Sequence, residues 1–117
     1  MKFDKSQLFY LIYNKKFGDA SDFLNNKCCR ATNKVVAVNF KDDRNVSTLM
    51  MAAWCRAPLN LIKQLCKMGG KNLIMHQSNY GSTALHYTTC SAADPDLEVV
   101  KFLVEKGGYE LLMLQNK

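Results

Sequence analysis

A segment of this chain occurs twice, and this repetition constrains the fold more than any other feature. Residues 45–52 (NVSTLMMA) begin the first copy and residues 81–88 (GSTALHYT) begin the second, 36 residues further on. Each copy continues into an apolar pattern that ends in a glycine pair, at positions 69–70 and 107–108. Repeats of this length are typical of solenoids, in which successive helix pairs stack. Such folds form surfaces more readily than deep pockets, so the repetition indicates binding without identifying the partner.

The spacing of apolar residues predicts two helices in each copy. In the second copy these are residues 83–90 and a helix that begins near Asp94 and continues through Leu97 and Leu103. In the first copy they are residues 47–55 and a helix that begins after Pro58. We expect the glycine pairs to end the second helices, because glycine adopts the left-handed C-terminal conformation without a steric penalty.

A less regular copy precedes these two. Residues 6–15 and 19–28 have the pattern of a helix pair, and Leu8 and Leu24 match Leu49 and Leu65 at an offset of 41 residues. The chain is therefore predicted to be one all-α domain of three repeats, approximately residues 4–40, 41–77 and 78–117. Self-association through an uncapped C-terminal repeat is left open.

The motif at residues 81–86 (GSTALH), the helix at 97–104 (LEVVKFLV) and the glycine pair Gly107-Gly108 together resemble the ankyrin repeat. The match is fullest over residues 79–108, is weaker over 42–70 and is weakest before 40. The resemblance implies an ankyrin-like solenoid of stacked antiparallel helix pairs with β-turn fingers. It also implies that Thr83 caps its helix, that Leu85 packs inside, and that His86 hydrogen-bonds backbone and so ties neighbouring loops together.

The first copy departs from the ankyrin pattern at three positions. Thr48 stands where the family prefers proline, as does Ala84 in the second copy, and Met50 replaces the histidine. The loss of that histidine predicts a looser finger in the middle repeat. Asn45 replaces the finger glycine, a mild change because asparagine tolerates a left-handed conformation. The connection from Gly69 to the next finger is longer than usual, which predicts an extra helical turn near residues 72–75 and 110–113.

Members of the ankyrin family contact protein partners through finger tips and the concave face of the first helices. The resemblance therefore implies a non-enzymatic protein–protein interaction module, or scaffold. Trp54 is the sharpest candidate, because tryptophan is enriched in binding hot spots. Trp54 covering neighbouring helices, and Arg44 and Tyr80 being merely solvated tips, remain alternatives. The positions carried over as partner-binding are Asp43, Arg44, Val46, Asn79, Tyr80 and Ser82 in the fingers, with Trp54 and Cys90 on the helices.

The net charge of +6, from 16 basic and 10 acidic residues, supports an alternative function. A basic N-terminal face would bind nucleic acid or an anionic membrane surface, for which interleaved aromatic residues are typical. The same aromatic residues would equally form the core of the first repeat. The residues concerned are Lys2, Lys5, Lys15, Lys16, Lys27, Arg30 and Lys34, with Phe3, Phe9, Tyr10 and Tyr13.

Several other classes of protein are not expected. The five cysteines are odd in number and include no C-x-x-C pair, which favours free thiols in a reducing compartment. No apolar run approaches the roughly 18 residues of a membrane span. We therefore expect an intracellular, cytoplasmic protein. His76, His86 and the five cysteines are candidate zinc ligands. The nearest pair, His86 and Cys90, supplies only two of the four ligands of a closed site, so no metal or cofactor is predicted. Without a nucleophile elbow, P-loop or Rossmann pattern, no enzyme is predicted either.

Overall fold

The computed structural model describes residues 4–26, 30–90 and 97–113. The described residues form helices and one isolated antiparallel bridge between Lys41 and Ser47, so the predicted all-α class is confirmed for this part of the chain. No described helix has the length and apolarity that crossing a membrane requires. The helices are α1 (Gln7–Tyr13), α2 (Phe17–Asn25), α3 (Ala31–Val38), α4 (Thr48–Trp54), α5 (Leu59–Met75), α6 (Ala84–Cys90) and α7 (Leu97–Met113).

The helices pack as successive pairs. Helix α4 lies against α1 and α6, while α5 lies against α2 and α7. Within the pairs, α1 contacts α2, α4 contacts α5, and α6 contacts α7. The result is an elongated body with extents of 41 × 24 × 23 Å. Helix α3 covers α1 and α5. It is rich in β-branched residues and precedes the first finger.

The turns after α1 and α4 have the same geometry, which relates the first repeat to the second. Lys15 and Arg56, 41 residues apart, both have a positive φ, of 61° and 62°. In each turn the next amide donates to the carbonyl oxygen five residues earlier, at 2.8 Å after Lys15 and at 2.9 Å after Arg56. This bond satisfies a free carbonyl at the helix end, as in a Schellman motif. The offset of 41 inferred from the leucines is thus repeated in the backbone.

The leucines that were matched between repeats lie in one continuous core. Leu8, Leu49 and Leu65 are fully buried, and Leu24 is 6% exposed. Leu85, which was expected inside, packs against this core but remains partly exposed. Helix α4 has a helix on each side, α1 and α6. Among the larger helix contacts of the described residues, α6 packs only against α4 and α7, so Leu85 is less completely covered.

The second helices end at the glycine pairs, as predicted, although not in the left-handed conformation that was expected. Gly70 has φ 71° and ψ −169°, and Gly108 has φ 71° and ψ −166°. This is not the left-handed helical conformation but an extended one with positive φ, which is essentially restricted to glycine. Helical structure resumes after each break, so the extra turns predicted near 72–75 and 110–113 are confirmed.

The first glycine of each pair permits a close approach of the resumed helix. A Cβ at Gly69 would lie 2.7 Å from the Cβ of Leu73, and one at Gly107 would lie 2.8 Å from the Cβ of Leu111. Both leucines are buried, at 2% and 1% exposure. The absence of a Cβ at these glycines thus leaves room for the buried leucines.

Residues 91–96 lie outside the described part of the chain, and with them the predicted helix start at Asp94. The pair predicted before the first finger is present with shifted bounds. The second helix of this pair was predicted over residues 19–28 and was expected to follow Gly18. Helix α2 begins earlier, at Phe17, so Gly18 lies in its first turn.

Candidate functional site

The first finger, residues 42–46, is held by one carboxylate. Oδ1 of Asp42 accepts hydrogen bonds from the backbone amides of Arg44 and Val46, each at 2.9 Å. The Asp42 amide in turn donates to the Val46 carbonyl at 3.1 Å. Asn45 takes a φ of 61°, so the prediction that asparagine replaces the finger glycine without disrupting the turn is confirmed. The Asp42 side chain thus fixes the backbone that presents Arg44.

The second finger, residues 78–82, repeats this geometry with a hydroxyl in place of the carboxylate. The Ser78 amide donates to the Ser82 carbonyl at 2.9 Å, and the Ser78 hydroxyl accepts from the Tyr80 amide at 3.3 Å. Gly81 has the positive φ, of 78°. The Tyr87 hydroxyl donates to the Ser78 hydroxyl at 3.3 Å, which joins the finger to α6.

The first finger is hydrogen-bonded both to the second finger and to His76, which lies just before the second finger. The Asn79 amide donates to the Arg44 carbonyl at 2.9 Å, and Nε2 of His76 donates to the Asn45 carbonyl at 2.9 Å. From the sequence, His76 was considered only as a zinc ligand, because it lies outside the repeated motif. It supplies the tie between loops that the resemblance had implied for His86. The fingers therefore form one connected edge.

His86 acts within its own motif. Its Nδ1 accepts from the Thr83 amide at 2.8 Å and lies 3.1 Å from the Thr83 hydroxyl. In the first copy Met50 occupies the corresponding place: its Sδ accepts from the Ser47 amide at 3.4 Å, while the Ser47 hydroxyl accepts from the Met50 amide at 3.1 Å. The sulfur of Met50 thus partly replaces the histidine, and the first finger keeps a polar tie through His76.

A cleft of about 410 Å³ opens between the fingers, the end of α1, and helices α4 and α6. We name it the aromatic cleft, because four of its lining residues are aromatic. Its openness to solvent suits a protruding side chain better than an enclosed small molecule. The cleft is lined by Tyr13, Arg44, Val46, Met51, Trp54, Tyr80, Ser82 and Tyr87.

Aromatic and charged contacts order the walls of the aromatic cleft. The rings of Trp54 and Tyr87 meet edge to face with centroids 5.9 Å apart. Trp54 nevertheless stays 49% exposed and Tyr80 53% exposed. A side-chain hydrogen bond with Tyr80 raises the pKa of the Arg44 guanidinium, and the charge of Asp42, 3.9 Å away, acts in the same direction. Arg44 places an exposed positive charge at the rim of the cleft, beside the aromatic rings.

Five of the eight residues predicted to bind a partner line the aromatic cleft: Arg44, Val46, Trp54, Tyr80 and Ser82. Asp43 and Asn79 are exposed beside it, with Asn79 Nδ2 3.5 Å from the Asp43 carbonyl. Cys90 is the last residue of α6, and its side chain lies outside the description.

One position differs from its expected exposure. Val46 was expected on a finger surface but is 5% exposed, because the finger turns its side chain into the core under the cleft. It therefore contributes to the floor of the cleft and not to an exposed tip.

Three lining residues were not among the positions predicted to bind a protein partner, although Tyr13 had been assigned to the alternative basic face. Tyr13, Met51 and Tyr87 complete the aromatic cleft. Tyr87 could have been identified from the sequence, because it directly follows the motif histidine and lies on the same short helix. Tyr13 belongs to the irregular first repeat, where the motif was too weak to assign a face. Met51 could not have been identified in this way, because an apolar residue within an apolar helix is expected in the core.

The basic N-terminal face is only partly described. Lys5, Lys15 and Lys16 are exposed, whereas Lys2, Lys27 and Phe3 lie outside the described residues. Phe9 is 2% exposed and packs in the core. Tyr10 and Tyr13 are about half exposed, at 50% and 56%. The aromatic residues are thus divided between the core and the surface.

The thiols that the structure describes are free. Burial raises the pKa of Cys66 to about 12, and burial also raises the pKa of Cys55 while the nearby charge of Lys15 opposes it. Such thiols are poor nucleophiles, because the reactive form is the thiolate. Within the described residues no three histidine, cysteine or acidic side chains are placed to hold a metal ion.

Comparisons of this chain with protein-family models, with curated proteins and with solved structures found no match.

Proposed function

We propose that this protein is an ankyrin-like solenoid that acts as a non-enzymatic protein–protein interaction module. The aromatic cleft and the two fingers would bind the partner. The observation that carries the proposal is the convergence of Arg44, Trp54 and Tyr80 on one cleft, although they come from three separate segments. Trp, Tyr and Arg are the residues that most often dominate binding energy at protein interfaces.

The chemistry of the aromatic cleft suits a polypeptide. Half-exposed rings of Trp54 and Tyr80 offer large apolar area with few rotatable bonds, so their ordering costs little entropy. Arg44, at the rim, can donate to carbonyl or carboxylate oxygens of a peptide. The hydroxyls of Tyr80 and Ser82 add groups that donate and accept hydrogen bonds.

Three observations support the ankyrin-like arrangement. The first helices pack side by side, as do the second helices, and the fingers at residues 42–46 and 78–82 have equivalent hydrogen bonds. Positive φ recurs at Asn45 and Gly81, and at the two glycines that break α5 and α7. Connected fingers give a rigid edge, which lowers the entropy that binding must overcome.

A photo-crosslinking experiment tests the proposed surface. A photoreactive phenylalanine analogue replaces Trp54, and in a matched protein it replaces Val36, which is 47% exposed on α3. Both proteins are irradiated in extract from the cells that make this protein. We expect one discrete adduct from position 54 that is absent from position 36. An excess of wild-type protein should abolish it, and an excess of the Tyr80→Ala variant should not.

Two results would contradict the proposal. Identical adduct patterns from positions 54 and 36 would mean that the aromatic cleft has no selective role. Equal competition by wild type and Tyr80→Ala would mean that Tyr80 contributes nothing to recognition. Circular dichroism of each variant shows whether it is folded, so that a loss of structure is not mistaken for a loss of binding.

A further inference from the structure

A second groove, which shares no residue with the aromatic cleft, lies between α5 and α7. It has a volume of about 530 Å³ and carries four lysines around an apolar floor. We name it the basic groove. No carboxylate is among its lining residues in the part of the chain that the structure describes. The groove is lined by Lys63, Cys66, Lys67, Gly70, Lys71, Ile74, Phe102 and Lys106.

The ring of Phe102 positions two of these lysines. The Nζ of Lys63 lies 5.7 Å from the ring centroid and the Nζ of Lys106 lies 5.8 Å from it. Ammonium groups at this distance are attracted by the negative face of the ring. Two positive charges from different helices are therefore held at one aromatic side chain. Their mutual repulsion is relieved when a negatively charged group lies between them.

From this geometry we propose that the basic groove binds an extended acidic peptide segment of a protein partner. Lys63 and Lys67 are one helical turn apart, about 6 Å along the axis. Alternate residues of an extended peptide are about 6.6 Å apart and point to the same side. Carboxylates at alternate positions therefore match the spacing of the lysines on α5.

The floor of the basic groove favours a peptide over other polyanions. Ile74 is buried, Cys66 is 5% exposed and Phe102 is half-buried, so they form an apolar surface beneath the charges. An apolar side chain of a peptide can contact this surface, whereas a bare phosphate group cannot. A membrane surface is flat and extended, so its headgroups would not reach the floor.

Neighbouring acids limit how far the segment extends. An adjoining hollow shares Lys63 and Phe102 with the basic groove but also contains Glu98 and Glu105. These carboxylates would repel acidic residues. The acidic segment should therefore lie along Lys67 and Lys106 and end at Lys63.

Fluorescence anisotropy with the full chain tests the proposal. The probe is a labelled peptide with glutamate at three alternate positions and leucine at the next alternate position, so that all four side chains lie on one side of the extended chain. We expect saturable binding that weakens as salt rises from 50 to about 300 mM, since salt screens the charges. Lys67→Glu with Lys106→Glu should weaken binding roughly tenfold, because each change removes an attraction and adds a repulsion. Lys67→Gln with Lys106→Gln provides a milder variant should the reversal disturb folding.

A matched control separates the basic groove from net charge. Lys5→Glu with Lys16→Glu changes the net charge equally at exposed positions elsewhere. We expect this control to keep most of the affinity. Equal loss in both double variants would overturn the proposal, as would the absence of saturable binding.

Two further probes and one further variant complete the test. A single-stranded oligonucleotide and vesicles containing phosphatidylserine are titrated in the same way, and tighter binding to either than to the peptide would overturn the assignment. Phe102→Ala should also weaken peptide binding, and unchanged affinity would contradict the role of the floor. Trp54→Ala should leave peptide binding unchanged, so failure here is distinguishable from failure at the aromatic cleft.

Discussion

The indole ring of Trp54 contacts the ring of Tyr87 edge to face, at a centroid distance of 5.9 Å and an angle of 84° between the ring planes. The contact joins the last residue of α4 to the middle of α6. Trp54 was interpreted either as a partner contact or as a cover for neighbouring helices. The two roles are compatible, because one part of the ring packs against Tyr87 and another faces the cleft.

Trp54→Ala is expected to lower the affinity for a protein partner more than it lowers stability. A hot-spot tryptophan contributes about 2 kcal/mol to binding. Because the side chain is 49% exposed, we expect a loss of only about 1 kcal/mol in the free energy of unfolding. Titration calorimetry and urea unfolding measure the two quantities. A stability loss of about 3 kcal/mol or more, as for a core tryptophan, would assign Trp54 to the core.

Leu49→Ala is expected to destabilise the protein more than Leu85→Ala. Leu49 is fully buried between two helices, and the loss of such a leucine costs about 2–5 kcal/mol. Leu85 is partly exposed, so its truncation should lie at or below the lower end of that range. Urea unfolding of both variants measures the difference. Equal losses would mean that α6 is covered as completely as α4.

Gly70→Ala is expected to reduce the free energy of unfolding by about 1–3 kcal/mol. Its backbone combines φ 71° with ψ −169°, a conformation in which a Cβ is strained even though the surrounding space is open. Gly18→Ala is the matched control, since Gly18 lies in α2 with nothing within 4 Å. That control should gain about 0.5 kcal/mol from helix propensity. Destabilisation of both variants to the same extent would contradict the argument.

Stability should fall as pH rises from about 9 towards 12, in part through Cys66. Burial raises the pKa of this thiol from 9.0 to about 12, so in that window the folded chain holds a proton that the unfolded chain releases. By linkage the stabilising contribution is fully present below pH 9 and is lost as pH rises. Cys66→Val should flatten this part of the pH profile of unfolding. Superimposable profiles for the variant and the wild type would show that the thiol does not titrate in this way.

The repeated local features were predictable because they depend on short stretches of sequence. Helices at residues 48–54 and 84–90 follow from a capping residue and a short apolar pattern, and the breaks at Gly70 and Gly108 follow from glycine pairs. The offset of 41 residues between Leu8 and Leu49 could be detected in the sequence, because equivalent core positions keep equivalent residue types.

The cleft as a unit was harder to predict. Arg44, Trp54 and Tyr80 were found because a repeated motif marked their positions. Tyr13 was not assigned to the cleft because the first repeat has no clear motif. The role of His76 was not predicted because its bond to Asn45 spans 31 residues of sequence. Contacts of this kind arise from stacking, which no single window of sequence contains.

The sequence alone determined the all-helical class, the repeat period and the sites of the backbone breaks, because each depends on interactions within a few residues. Tertiary structure alone decided how deeply each repeated residue is buried. Leu49 and Leu85 occupy the same motif position, yet one is enclosed and the other partly exposed. It also decided that Tyr13 and Tyr87 share a cleft and that lysines from α5 and α7 surround Phe102. The reason is that burial and proximity depend on the neighbouring helices, and those neighbours come from distant parts of the chain.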